Sequence, residues 1–209
     1  MLMPADRSTV VRSVETALAT TLNFALGRRL HGATVAEFPH ARTVLATAHL
    51  DLEILRAAAA SADPGAEHLV VATANRALRE LSVVLGARFY LREGDHADFG
   101  EALLAVTEGL PPPSRTRREL AERLPADPPT RRLPDHAARW RRRRADGPVT
   151  PALTDTYTHL LAAEHHPADS PWHHAVLTTI ARRCDGDGSP LPPEDVDDIF
   201  THLTRGGTT

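Results

Sequence analysis

The stretch that decides the fold is HLVVATANRALRELSVVLGARFY, residues 68–90. Its apolar side chains recur every three or four residues, which is the spacing of one face of an α-helix. Asp63 and Pro64 supply a cap and a first-turn residue ahead of this run, and Gly86 supplies a stop after it. The pattern therefore predicts an amphipathic helix that buries one face and ends at Gly86.

Working outward, the same periodicity predicts three more helices. Two precede the central stretch, from Ser8 to about Leu30 and from about Pro39 to Ala60. One follows it, from about Asp95 to Val106, before a run of prolines that cannot continue a helix. Short connections favour antiparallel neighbours. We therefore expect an all-α protein whose main unit, residues 8–125, is an up-and-down four-helix bundle.

Beyond Ser114 the sequence becomes more polar and richer in proline. Residues 126–149 combine proline with arginine and are predicted to be a linker or a loosely attached helix. Residues 150–205 contain helix-start signals, Ser or Thr followed by Pro, and are predicted to be a small helical tail. Strand signals are absent throughout the sequence.

Composition narrows the range of functions. All 24 basic residues are arginine, which excludes a lysine nucleophile, and the formal net charge of −3 gives no general attraction to nucleic acid or anionic membrane. Cys184 stands alone, so neither an intrachain disulfide nor a paired-cysteine zinc site is possible. No stretch approaches the length of a membrane span. We expect a soluble cytoplasmic protein that binds neither membrane nor nucleic acid.

Three stretches resemble the C-terminal helical domain of the acyl-CoA dehydrogenase family. They are LNFALGRRLHGATVAEFPHARTVLATAHLDLE (22–53), SVVLGARFYLREG (82–94) and LLAVTEGLPPPSR (103–115). The resemblance covers about residues 10–125. It implies the four-helix bundle of that domain, in a truncated or split member of the family followed by a small helical extension.

The resemblance also implies a set of site residues. Arg28, three residues before His31-Gly32, matches the arginine that reaches the pyrophosphate of FAD in a neighbouring subunit. The GARFY run places Gly86, Arg88 and Tyr90 at the turn that closes against the adenine end of the flavin. Glu108, in a Glu-Gly pair, matches the carboxylate that removes the α-proton of an acyl-CoA while the flavin takes the hydride.

From these residues we expect a subunit or fragment of a flavin-dependent oxidoreductase that oxidises a CH–CH bond of an acyl thioester. FAD would be shared with a partner chain that supplies the N-terminal and β-domains, in a homo- or hetero-oligomer, and the chain alone would be inactive. The alternative is a non-catalytic helical scaffold derived from the same fold. Val83 favours it, because a flavin-contacting glutamine is usual at that position, and so do two glycines missing from GARFY.

Two further motifs leave alternatives open. RWRRRR, residues 139–144, could bind nucleic acid with Trp140 as a stacking platform, but a solvated helix end or a docking strip for an acidic partner is the preferred interpretation. Four histidines in residues 165–174 could suggest a metal. Adjacent histidines point to different faces of a helix, so we expect no metal site there.

Overall fold

The computed structural model describes residues 6–91, 93–128 and 130–206, and these residues are almost entirely helical. The all-α class is therefore confirmed. No helix in the described ranges combines the length and the apolar composition needed to cross a bilayer. The helices are α1 Arg7–Gly27, α2 Pro39–Ala59, α3 Gly65–Leu85, α4 Ala97–Gly109, α5 Pro113–Ala121, α6 Pro134–Asp146, α7 Pro151–His165, α8 His173–Asp185 and α9 Pro193–Gly206.

The described residues fall into two compact units. The first comprises residues up to 52, 74–110 and 190 onward, and the second comprises 53–73 and 111–189. These divisions do not coincide with the sequence boundaries predicted at residues 125 and 149, because α2 and α3 each contribute residues to both units. The up-and-down arrangement of the first four helices stays a prediction.

The decisive stretch forms α3, as its periodicity predicts. Asp63 caps the start of the helix, since its Oδ1 accepts a hydrogen bond of 2.7 Å from the backbone N–H of Gly65. A Cβ on Gly65 would lie 2.9 Å from Cε1 of Tyr157, so only glycine fits this close approach. Leu69, Leu78, Leu81 and Leu85 are all buried. The helix ends at Leu85, and Gly86 begins a 3-10 turn that runs to Tyr90.

The first predicted helix ends earlier than expected. It was expected to continue to about Leu30, but α1 stops at Gly27 and a short hairpin follows. Strand β1, Arg29–Leu30, pairs antiparallel with β2, Ala33–Thr34. The turn between them has left-handed backbone at His31 (φ 50°) and Gly32 (φ 89°), which a continuing α-helix cannot accommodate. The described residues thus contain a short hairpin at a place where the sequence carries no strand signal.

In the first unit, α1 packs lengthwise against α4. Val14, Leu18 and Leu22 on α1 and Phe99 and Val106 on α4 are buried. Burial of such side chains is the main source of stability for a helical unit of this kind, at about 1.5–3 kcal/mol for each large apolar side chain. This packing fixes both the C-terminal end of α1 and the start of α4.

The second unit is built around α7, which packs against α5, α6 and α8. Its core consists of Leu120, Leu124, Trp140, Leu153, Tyr157 and Leu160. Trp140 is 1 % exposed, and its indole N–H donates a hydrogen bond of 3.0 Å to the carbonyl of Leu153. The segment predicted as a linker thus contains a packed helix, α6. Trp140 is also not a stacking platform, because its ring is buried in this core.

Candidate anion-binding site

A cavity of about 630 Å³ opens in the first unit beside the C-terminal end of α1. Its volume lies within the range of about 300–1,000 Å³ that is usual for small-molecule sites. The residues that line it come from α1, from the 3-10 turn after α3, and from the residue just before α4. They are Thr20, Asn23, Phe24, Gly27, Arg28, Arg88 and His96.

Helical spacing explains why five residues of α1 and its C-cap reach the same cavity. Thr20, Asn23, Phe24, Gly27 and Arg28 are separated by three or four positions and so follow one face of the helix. Arg28 is the C-cap residue, and its backbone N–H donates a hydrogen bond of 2.9 Å to the carbonyl of Phe24. The C-cap of α1 therefore places Arg28 in the lining of the cavity.

The turn after α3 brings the second arginine to the cavity. Gly86 has a left-handed backbone, with φ +59°, a conformation that a residue with a Cβ adopts only under strain. The chain leaves α3 at this glycine, and Arg88 follows two residues later in the 3-10 turn. The role that the structure gives Gly86 is therefore to shape the turn that carries Arg88.

The ring of Phe24 contacts both Arg88 and His96 in the lining of the cavity. The guanidinium carbon of Arg88 lies 5.1 Å from the centroid of the Phe24 ring, a cation–π contact. The His96 ring meets the Phe24 ring at 84°, edge to face, with centroids 5.4 Å apart. Arg88 and His96 are thus both held against one aromatic side chain, and this reduces the number of conformations open to them.

Among the side chains that the structure describes, those in the lining that can carry a charge are basic: Arg28, Arg88 and His96. Arg28 and Arg88 supply two guanidinium groups to the lining. The Nδ1 atom of His96 is buried and has no hydrogen-bond partner in the described part of the chain. Guanidinium groups present planar pairs of donors that match carboxylate and phosphate oxygens. The cavity is therefore suited to an anion with several oxygens, such as a phosphate ester.

The structure brings some of the predicted site residues together and leaves others apart. Arg28 and Arg88 line the same cavity, and Gly86 lies in the turn that positions Arg88. Tyr90 is 68 % exposed, and its ring packs against Phe89 rather than lining the cavity. Glu108 is an exposed residue near the end of α4 and is not among the lining residues. The cationic pair and the proposed catalytic carboxylate are thus not part of one cavity.

Sequence reasoning missed Phe24 and His96. Phe24 could have been found, because it lies four residues before Arg28 and so shares its helix face. His96 carries no such signal, because its position depends on how α4 packs against α1. Tertiary packing alone brings its ring to Phe24.

A second group of polar side chains lies in the second unit and is partly buried. His68 is 1 % exposed; its Nδ1 lies 2.8 Å from Oγ1 of Thr116, and its Nε2 lies 3.1 Å from Oδ1 of Asp155. Arg117 donates to the same Asp155 oxygen at 2.8 Å. Burial acts to raise the pKa of Asp155, but the hydrogen bonds from His68 and Arg117 outweigh it and lower that pKa. His68 and Thr116 are buried, while Asp155 and Arg117 are each about one third exposed, and together they connect α3, α5 and α7.

The described residues contain no group of three or more His, Cys, Asp or Glu side chains arranged to hold a metal ion. Comparisons with protein-family models, with curated proteins and with solved structures found no match.

Proposed function

We propose that this protein is a subunit of a flavin-dependent oxidoreductase of the acyl-CoA dehydrogenase kind, and that its cavity binds the phosphates of FAD. The observation that carries the proposal is that Arg28 and Arg88, which come from separate elements, line one cavity. A pyrophosphate offers several anionic oxygens to such a pair of guanidinium groups. Both arginines also belong to the stretches that resemble this family.

The residues of the cavity suit the phosphate-bearing part of FAD. Arg28, Arg88 and His96 would donate hydrogen bonds to phosphate oxygens, and the Phe24 ring would offer an apolar face beside them. When bound, the flavin supplies a hydride acceptor for the β-carbon of an acyl thioester. The cavity residues of this chain would bind and orient; they are not proposed to touch the reacting atoms.

A partner chain is supported by the surface around the cavity. Four large apolar side chains on the segments that carry the lining residues are unusually exposed: Leu26 (42 %), Leu30 (39 %), Tyr90 (68 %) and Leu91 (47 %). Exposed large apolar side chains on the segments that line a cavity are consistent with a surface that another chain covers. In the proposed oligomer the partner supplies the N-terminal and β-domains and completes the FAD site. The four-helix bundle of the family is part of this proposal.

The catalytic part of the proposal rests on sequence alone. Glu108 would remove the α-proton of the acyl thioester, a step that a carboxylate performs best when its pKa is close to the working pH. In this chain Glu108 is exposed on α4. A partner surface would have to cover it, together with the substrate, for burial to raise its basicity.

A second candidate is a non-catalytic scaffold that keeps the oligomer surface of the fold. The exposure of Glu108 favours it, and so does Val83, which is 58 % exposed and offers no polar group to a flavin. The variant Glu108→Gln separates the two functions in a reconstituted complex. Loss of acyl thioester oxidation supports the catalytic function, and unchanged turnover supports the scaffold.

The proposal is tested by co-expressing the chain with dehydrogenase-like proteins encoded beside its gene and measuring the visible absorbance of retained flavin. The expected result is a complex that holds flavin and loses most of it in the double variant Arg28→Gln, Arg88→Gln. Arg29→Gln is the matched control, because Arg29 follows Arg28 directly but is exposed in β1 and donates to the carbonyl of Gly32. Failure to form any complex, or equal flavin retention in all variants, would contradict the proposal.

A further inference from the structure

A pair of histidines lies where α7 connects to α8 in the second unit. Nδ1 of His166 and Nδ1 of His173 are 3.2 Å apart, and their rings stack with centroids at 5.4 Å. The His166 side chain is fully buried. Two ring nitrogens at this separation share one hydrogen, because one must donate while the other accepts. The contact therefore requires at least one of the two Nδ1 atoms to be unprotonated.

The surroundings of His173 disfavour a second positive charge. The guanidinium of Arg132 donates to the carbonyls of Ala163 and His166 and so places a fixed cation beside the pair. His173 is the first residue of α8, where the helix dipole also disfavours a cation. Burial, then Arg132 and His166, lower the pKa of His173, while a hydrogen bond to the backbone of Pro167 acts in the opposite direction.

His166 differs, because a carboxylate faces its other nitrogen. Nε2 of His166 is buried, lacks a hydrogen-bond partner in the described residues, and lies 3.8 Å from Oε2 of Glu53. Arg56 in turn holds Glu53, with Nη1 2.6 Å from Oε1. A positive charge on His166 would thus face Glu53, whereas a charge on both rings would require a hydrogen on both Nδ1 atoms of the shared contact.

The remaining titratable neighbours face elsewhere. His165 lies 3.1 Å from the hydroxyl of Ser61, and Glu164 accepts a hydrogen bond from the backbone N–H of Arg131. His174 and Asp169 are exposed. The His166–His173 contact is therefore the place in this connection where a second proton has no favourable position.

We propose that His166 and His173 form a proton-operated latch that fixes residues 166–173 at neutral pH and releases them in mild acid. Once both rings are charged, their Nδ1–H groups oppose each other and both repel Arg132. Because the pKa of His173 is lowered by burial and by Arg132, the latch opens below the ordinary histidine value of about 6.5. Because the folded state disfavours the proton on His173, stability is fully present at higher pH and is lost as pH falls. The proposed activity is acid sensing by the second unit, independent of the cavity in the first.

The test is amide hydrogen exchange of the intact chain at a series of pH values, corrected for the intrinsic rate. In the wild type, the amides of residues 166–173 should exchange faster as the pH falls. Where opening of this segment takes up one proton, the corrected exchange rate should rise by about tenfold for each pH unit. His173→Asn should remove this dependence. His174→Asn is the matched control, because His174 is the exposed neighbour, and it should keep the dependence. Equal pH dependence in all three chains would overturn the latch.

A second measurement needs no variant. The ring signals of His166, His173 and His174 can be followed by NMR in the wild-type chain, with the indole signal of Trp172 reporting on the connection. The latch predicts that His173 gains its proton at lower pH than the exposed His174, together with a shift of the Trp172 signal. Protonation of both histidines at the same pH, without change at Trp172, would overturn it.

Discussion

Tyr157 on α7 donates a hydrogen bond of 3.0 Å to Oδ2 of Asp63, 94 residues earlier in the chain, while the other oxygen of that carboxylate caps α3. The ring of Tyr157 also fills the space beside Gly65. One carboxylate therefore orients both the start of α3 and the middle of α7 within the second unit. Burial, then the charge of Asp63, raise the pKa of Tyr157 strongly, so the phenol stays protonated and keeps donating.

Replacing Tyr157 by phenylalanine should reduce stability by about 1 kcal/mol, the usual net value of one hydrogen bond. The ring remains, so packing against Gly65 is preserved and the loss reports on the hydroxyl. Urea unfolding measures the change. Tyr90→Phe is the control, because Tyr90 is exposed, and it should change stability by less than about 0.5 kcal/mol. Equal effects of the two variants would show that the bond to Asp63 contributes nothing.

Stability should depend on the ionisation of Asp155. Hydrogen bonds from His68 and Arg117 lower its pKa in the folded state, so its contribution is complete above the ordinary Asp value of about 3.9 and is lost as pH falls through the lower folded value. The urea midpoint should therefore fall more steeply below about pH 4 in the wild type than in Asp155→Asn. Asp127→Asn is a suitable comparison, because Asp127 is exposed and pairs with Arg141. A wild-type slope no steeper than that of Asp155→Asn would contradict this assignment.

Cys184 should be chemically inert in the folded protein. Burial, together with the neighbouring charge of Asp185, raises the pKa of its thiol to about 12. Since the thiolate is the reactive form, iodoacetamide should modify the native chain at least about a hundredfold more slowly than the unfolded chain. The rate should rise with denaturant in step with unfolding. Rapid modification of the native chain would show that the thiol of Cys184 is accessible and is not protected by packing against the core.

The parts of the fold that were predicted correctly depend on local sequence. The extent of α3 follows from its apolar spacing and from Asp63. Arg28 and Arg88 were each recognisable from a sequence motif and line one cavity, while their role in binding a cofactor stays a prediction. The hairpin at Arg29–Leu30 was missed because it depends on left-handed backbone at His31, where glycine is usual. No local sequence pattern predicts that a histidine will adopt this left-handed conformation.

The parts that were missed depend on contacts between distant residues. Trp140 lies in an Arg-rich run that looks solvated, yet its ring enters a core formed with α5 and α7. His96 joins the cavity only because α4 packs against α1. The boundary between the two units falls within α2 and within α3, and the apolar periodicity of the sequence does not change at either position. Spacing along one helix cannot reveal any of these contacts.

The central claim is that Arg28 and Arg88 form a binding site for the phosphates of a dinucleotide. Calorimetric titration of the flavin-free, co-expressed complex with ADP, which carries a pyrophosphate as FAD does, tests this site. We predict measurable binding that weakens by about tenfold to a hundredfold in Arg28→Gln and in Arg88→Gln, as expected for loss of one charge-assisted hydrogen bond, and that Arg29→Gln leaves unchanged. No binding by the wild type, or equal affinity in all four chains, would contradict the claim.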